Sequence, residues 1–137
     1  MTTLTASPTT RSTPTKARAA KAGLVVTALV TLFLGFDTVI HLLNVSEVQE
    51  ATSKLGQPSY FAFLIGCVEA VCLVLYLVPR TAILGAVLLT CYLGGATAVN
   101  LSYQQPVFNV FFAVGTGVVV WAGLWLRDDR VKVLYTR

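Results

Sequence analysis

Four apolar stretches, residues 22–44, 59–78, 81–103 and 107–126, occupy most of this 137-residue chain. A helix crossing a hydrocarbon core about 30 Å thick at 1.5 Å per residue needs about 20 residues, so each stretch is long enough to span. Inside lipid every backbone N–H and C=O must bond within the protein, which leaves helices or a closed barrel. Barrel strands run near 10 residues with alternating polarity. Leu73-Val74-Leu75 and Val118-Val119-Val120 show no alternation. The expected fold is an all-α membrane protein, a four-transmembrane-helix antiparallel bundle. Composition agrees: charged residues are 12% of the chain, against roughly 25% in soluble domains.

The net charge of +4 would suggest a nucleic-acid partner if the basic residues clustered. They lie between the apolar stretches instead, so the charge reads as topology and no nucleic-acid partner is expected. Arg11, Lys16, Arg18, Lys21, Arg80, Arg127, Arg130, Lys132 and Arg137 fall on one side, and Lys54 alone on the other. The positive-inside bias then puts both termini in the cytoplasm. A cysteine placed at Thr52 should be labelled from outside, and one at Thr136 should not. Residues 1–21, rich in Ser, Thr, Pro and basic residues, read as a disordered tail. Residues 127–137 read as a short charged cytoplasmic tail. The basic start before the first stretch resembles a signal peptide, but no small-x-small cleavage site follows Leu34, so an uncleaved anchor is expected. Pro58, Pro79 and Pro106 mark the connections, two of them tight enough to make neighbours antiparallel.

The third stretch carries small residues every four positions: Ala82, Ala86, Thr90, Gly94, Ala98 and Ser102. Such a row lets helix backbones approach closely. Gly94, Ala98, Gly85 and Ala86 are therefore the expected helix-packing residues, and Gly94→Leu is expected to destabilise the protein. Ala113 and Gly117 offer a shorter ridge on the fourth stretch.

The spans hold no Lys or Arg, and Asp37, Glu69 and His41 are their two acids and one imidazole. A charge at mid-bilayer costs roughly 2.5–3.5 kcal/mol even on lenient insertion scales, so such residues face protein or water. Asp37 and His41, four apart, share a helix face. By helical rise Asp37 lies about 9–10 Å, and Glu69 about 15 Å, below the outer boundary. With Asn100 they define a candidate polar intramembrane pocket opening outward, for ligand binding or proton exchange. Asn44, Gln104, Gln105 and Asn109 lie at compatible depths. The plainer reading is that Asp37 and His41 merely hide each other from lipid, with Glu69 hydrogen-bonded across helices and the asparagines acting as glue. No nucleophile, phosphate-loop or zinc-protease motif is present, so the catalytic residues are unknown and the chain is at most a subunit of an enzyme. Cys67, Cys72 and Cys91 form no C-x-x-C pair, and no metal site is expected from His and Cys spacing.

In order along the chain stand His41, Leu55-Gly56-Gln57-Pro58-Ser59-Tyr60, Gly66-Cys67-Val68-Glu69, Val78-Pro79-Arg80, Leu84-Gly85-Ala86 and Leu93-Gly94-Gly95-Ala96. With this order the chain resembles the DoxX-like family of small four-span membrane proteins, over about residues 24–126. The resemblance implies a multi-pass protein of the bacterial cytoplasmic membrane. Relatives include the membrane subunit of a thiosulfate:quinone oxidoreductase and partners in redox-stress complexes. Glu69 and His41 match positions of the family pattern; Asp37 does not.

Three readings stay open. One is a membrane subunit of a redox system, with an oxidoreductase partner and a quinone in the pocket exchanging protons with Glu69 or His41. Another is a small proton-coupled transporter working as a homo-oligomer, although small multidrug transporters carry their key Glu in the first span rather than the second. The third is a scaffold with no ligand.

Overall fold

The computed structural model describes residues 14–135, and every regular element among them is helical. In order these are α1 (Pro14–Leu42), α2 (Ser46–Lys54), α3 (Phe61–Leu77), α4 (Ala82–Ser102), α5 (Val107–Arg127) and α6 (Asp129–Tyr135). Within α1 the run Lys16–Leu42, together with α4 and α5, is long and apolar enough to cross a membrane. Helix α3 has 17 residues, about 25 Å of rise, at the short end for a span. Proline sets that length. Val78, just before Pro79, is extended at ψ 120°, because a residue preceding proline is driven out of the helical region.

Helix α1 packs against α3 and α5, and α4 packs against the same two. The shared interior is thin. It contains Leu34, Tyr76, Leu89, Val120 and Leu124, all at most 2% exposed. Large apolar side chains such as Leu32, Phe36, Phe108 and Val118 point outward, as lipid-facing helices require. Polar side chains on these faces bond back to their own helix. Thr97 donates to the Leu93 carbonyl at 2.8 Å, Thr116 to Phe112 at 2.9 Å and Ser102 to Ala98 at 2.9 Å.

The end bearing both α1's start and α5's end is tied down by arginine. The Arg127 guanidinium donates to the Tyr76 carbonyl at 2.8 Å and lies 4.8 Å above the Tyr76 ring centre. The Tyr76 hydroxyl in turn donates to the Val120 carbonyl at 2.9 Å. Arg130 bonds to Asp128 and to the Pro79 carbonyl. That hydrogen-bonded guanidinium holds the Asp128 carboxyl below the usual carboxylate range.

Several expectations change. The tail assigned to residues 1–21 is helical from Pro14 onward. Proline suits the first turn of a helix, and Lys16-Ala17-Arg18-Ala19-Ala20-Lys21 is a run of strong helix formers. Residues 1–13 lie outside the described residues. Most of the charged tail after α5 forms α6. The polar connection 45–58 contains α2, amphipathic, with Val48 and Thr52 buried. Thr52 is therefore no labelling site; Ser53, beside it, is exposed. Thr136 lies outside the described residues.

The small-residue row on α4 is corrected most sharply. Ala82 and Ala86 are at most 1% exposed, and a Cβ at Gly85 would overlap the backbone of Leu75 and Tyr76. Gly94 and Ala98 are exposed, and a Cβ at Gly94 meets nothing within 4 Å. The reason is geometric. A step of four residues turns about 400°, so the row drifts about 40° per step and leaves the packed face after two steps. Leu89 and Leu93 take over the buried line. No loss of packing within the chain is expected for Gly94→Leu.

Candidate functional site

At the α2 end the helices splay around a cavity of about 520 Å³. Four elements contribute to its wall. From α1 come Leu34, Asp37 and His41, from α3 Ile65 and Glu69, from α4 Tyr92 and Asn100, and from α5 Asn109 and Phe112. The wall is mostly apolar, and the charged groups gather on the α1–α3 side. An apolar pocket with a few convergent polar groups is the usual form of a small-molecule site.

Helix α1 presents Asp37 and His41 one turn apart, facing α3. His41 Nδ1 lies 2.9 Å from the Asp37 carbonyl oxygen and 3.5 Å from its Oδ2. A carbonyl only accepts, so Nδ1–H donates and Nε2 carries the lone pair in the neutral ring. Close approach of the two helices is possible because residue 66 is glycine. A Cβ there would stand 2.9 Å from His41 Cβ and 3.1 Å from the Leu42 nitrogen. Three residues on, Glu69 is 0% exposed. Its Oε2 accepts a long 3.4 Å bond from the Tyr92 hydroxyl, while Oε1 has no hydrogen-bond partner. The neighbouring Thr38 hydroxyl is likewise buried without a partner. Asp37, His41 and Glu69 each bring a ligating atom within 4.8 Å of the other two.

All four residues read from the sequence as a pocket, Glu69, His41, Asp37 and Asn100, line this one cavity. Asn100 stands apart from the triad, donating to the Ala96 carbonyl at 2.8 Å and accepting a 3.4 Å bond from Asn109. Gln105 lines a separate shallow cleft beside α2, together with Asn100 and Asn109. Tyr92 was not anticipated. Depth gives its signal: it lies ten residues into α4, about 15 Å, level with Glu69. The Asp/His/Glu set was missed as a ligand cluster because its members come from two helices, where spacing along one chain says nothing.

The profile of a family described as the DoxX-like family matches residues 25–123. Neither a curated protein nor a solved structure matches the chain.

Proposed function

This chain belongs to the DoxX-like family, and on that premise we propose that it binds a quinone-type lipid as a membrane subunit of a redox system. We infer an antiparallel bundle of four spans in a bacterial cytoplasmic membrane, with both termini cytoplasmic and the cavity opening toward the outer leaflet. The carrying observation is Glu69, fully buried at the head of a largely apolar cavity with one carboxyl oxygen unpartnered. A quinone ring and its isoprenoid tail suit the apolar wall, and the ring oxygens suit the polar head. Reducing the ring takes two electrons and two protons. The electrons come from an oxidoreductase partner, and Glu69 and His41 relay the protons.

A proton-coupled exporter would use the same acid but needs a route to the inner side. Below Glu69 the helices close over Tyr76, Leu89, Val120 and Leu124, each 0% exposed. That closure favours ligand binding from one side.

Gly95 lines the cavity, and a Cβ there meets nothing within 4 Å. Gly95→Trp is expected to fill the space, weakening decylubiquinone binding in equilibrium dialysis at least tenfold while the protein stays monodisperse. Unchanged binding would remove the cavity as the site. For orientation, a cysteine at Ser53 in a cysteine-free background is expected to react with an impermeant reagent added outside whole cells. One at Arg80 should react only after lysis, and the reverse pattern overturns the topology.

A further inference from the structure

The wall of the cavity carries more acidic than basic side chains. Two carboxylates, Asp37 and Glu69, face one imidazole. The only basic residues between positions 22 and 126 are Lys54 and Arg80, both outside the helices that line the pocket. Among the described residues the ion pair at the triad joins Asp37 to His41, at 3.5 Å. Glu69 is 0% exposed and its Oε1 makes no hydrogen bond, with the Thr38 hydroxyl and the Asp37 carboxyl as its polar neighbours. A buried acceptor in that condition invites a positive partner. Oxygen atoms of both acids and a ring nitrogen of His41 already lie within 4.8 Å of one another.

We propose that Asp37, His41 and Glu69 bind a divalent transition-metal cation of the zinc class, with its remaining coordination position open to the cavity. The donor set selects this class. Magnesium and calcium take six or more oxygens, whereas two carboxylates and an imidazole suit zinc and its neighbours. The histidine ring is held by its Nδ1–H on the Asp37 carbonyl at 2.9 Å, so in the neutral ring the lone pair offered to a metal is that of Nε2. Tetrahedral zinc holds its ligand atoms about 3.4 Å apart, so the side chains close by up to about 1.4 Å on binding. The Tyr92 hydroxyl, 3.4 Å from Glu69 Oε2, then orients the acid from behind.

Cation and proton are alternative occupants of the same carboxylates, because a ligating acid must be deprotonated. Zinc therefore blocks the proton relay proposed above. The site itself does not rest on a quinone occupying the cavity.

Equilibrium dialysis of the purified full chain in mild detergent against zinc, read by elemental mass spectrometry, tests this. About one zinc per chain is expected. His41→Ala or Glu69→Gln should weaken binding at least tenfold, and replacing all three cysteines by serine should leave it unchanged. Less than a tenth of a zinc per wild-type chain overturns the proposal whether or not the variants fold. So does zinc that survives both triad substitutions or disappears with the cysteines. Zinc without quinone leaves the site standing and removes the redox reading; quinone without zinc does the reverse.

Discussion

Replacing Gly85 by leucine is expected to destabilise the fold severely, while the same change at Gly94, nine residues further along α4, is expected to do almost nothing. At Gly85 a Cβ alone overlaps the nitrogen and Cα of Tyr76 and the carbonyl carbon of Leu75. Backbone meets backbone there, so no rotamer change relieves the clash. The α3 and α4 axes must move apart. Ala82, Ala86 and Leu89, all at most 1% exposed, lose their contacts in the same motion. Overpacking that side chains can absorb costs about 1–3 kcal/mol. This one should exceed about 3 kcal/mol, a large share of a total stability of roughly 5–15 kcal/mol. Gly94→Leu adds its side chain to open space and should stay within about 0.5 kcal/mol. Thermal unfolding and elution profile in mild detergent check both. Equal effects would mean that the packed face of α4 is elsewhere.

Glu69→Gln is the second large effect, on proton transfer instead of folding. Glutamine keeps the shape of the acid and can still accept from the Tyr92 hydroxyl, but it neither takes up nor releases a proton. Stability should hold or rise, because a buried group that can ionise is replaced by a neutral amide of the same shape. Proton transfer should not survive. When decylubiquinone in the cavity is reduced by two equivalents of methyl viologen radical cation, a donor that gives up electrons without protons, two protons must be taken up from solution. Removing a positioned acid–base group typically costs about 10²–10⁴-fold. Proton uptake followed with a pH-sensitive dye is thus expected to slow at least about 10²-fold, with the amount of bound quinone nearly unchanged. Uptake at the wild-type rate would relieve Glu69 of any role in proton exchange.

The helices were legible because lipid leaves the backbone little choice: uninterrupted apolar length is enough to find α1, α4 and α5. Depth was legible too, since a helix rises 1.5 Å per residue. That arithmetic placed Asp37, His41, Glu69 and Asn100 around one cavity. Direction around the helix axis was not legible. The four-residue row on α4 looked like one face, yet Gly94 and Ala98 had rotated away from the packed side. Helix α2 was missed because it has only nine residues and Val45 makes no side-chain cap, so neither length nor an N-cap signal marks it. The early start of α1 was hidden by Ser, Thr and Pro, which suggested disorder where Pro14 opens a helix.

The central claim is that the cavity at the α2 end holds a quinone-type lipid. Mass spectrometry of the tagged protein extracted gently from its own membrane tests it most directly, reading lipids and partner proteins together, with Gly95→Trp alongside. About one quinone per wild-type chain, lost in Gly95→Trp and accompanied by an oxidoreductase, is the predicted result. A protein that emerges monodisperse and free of quinone, or one whose quinone persists when Gly95→Trp fills the cavity, would contradict it.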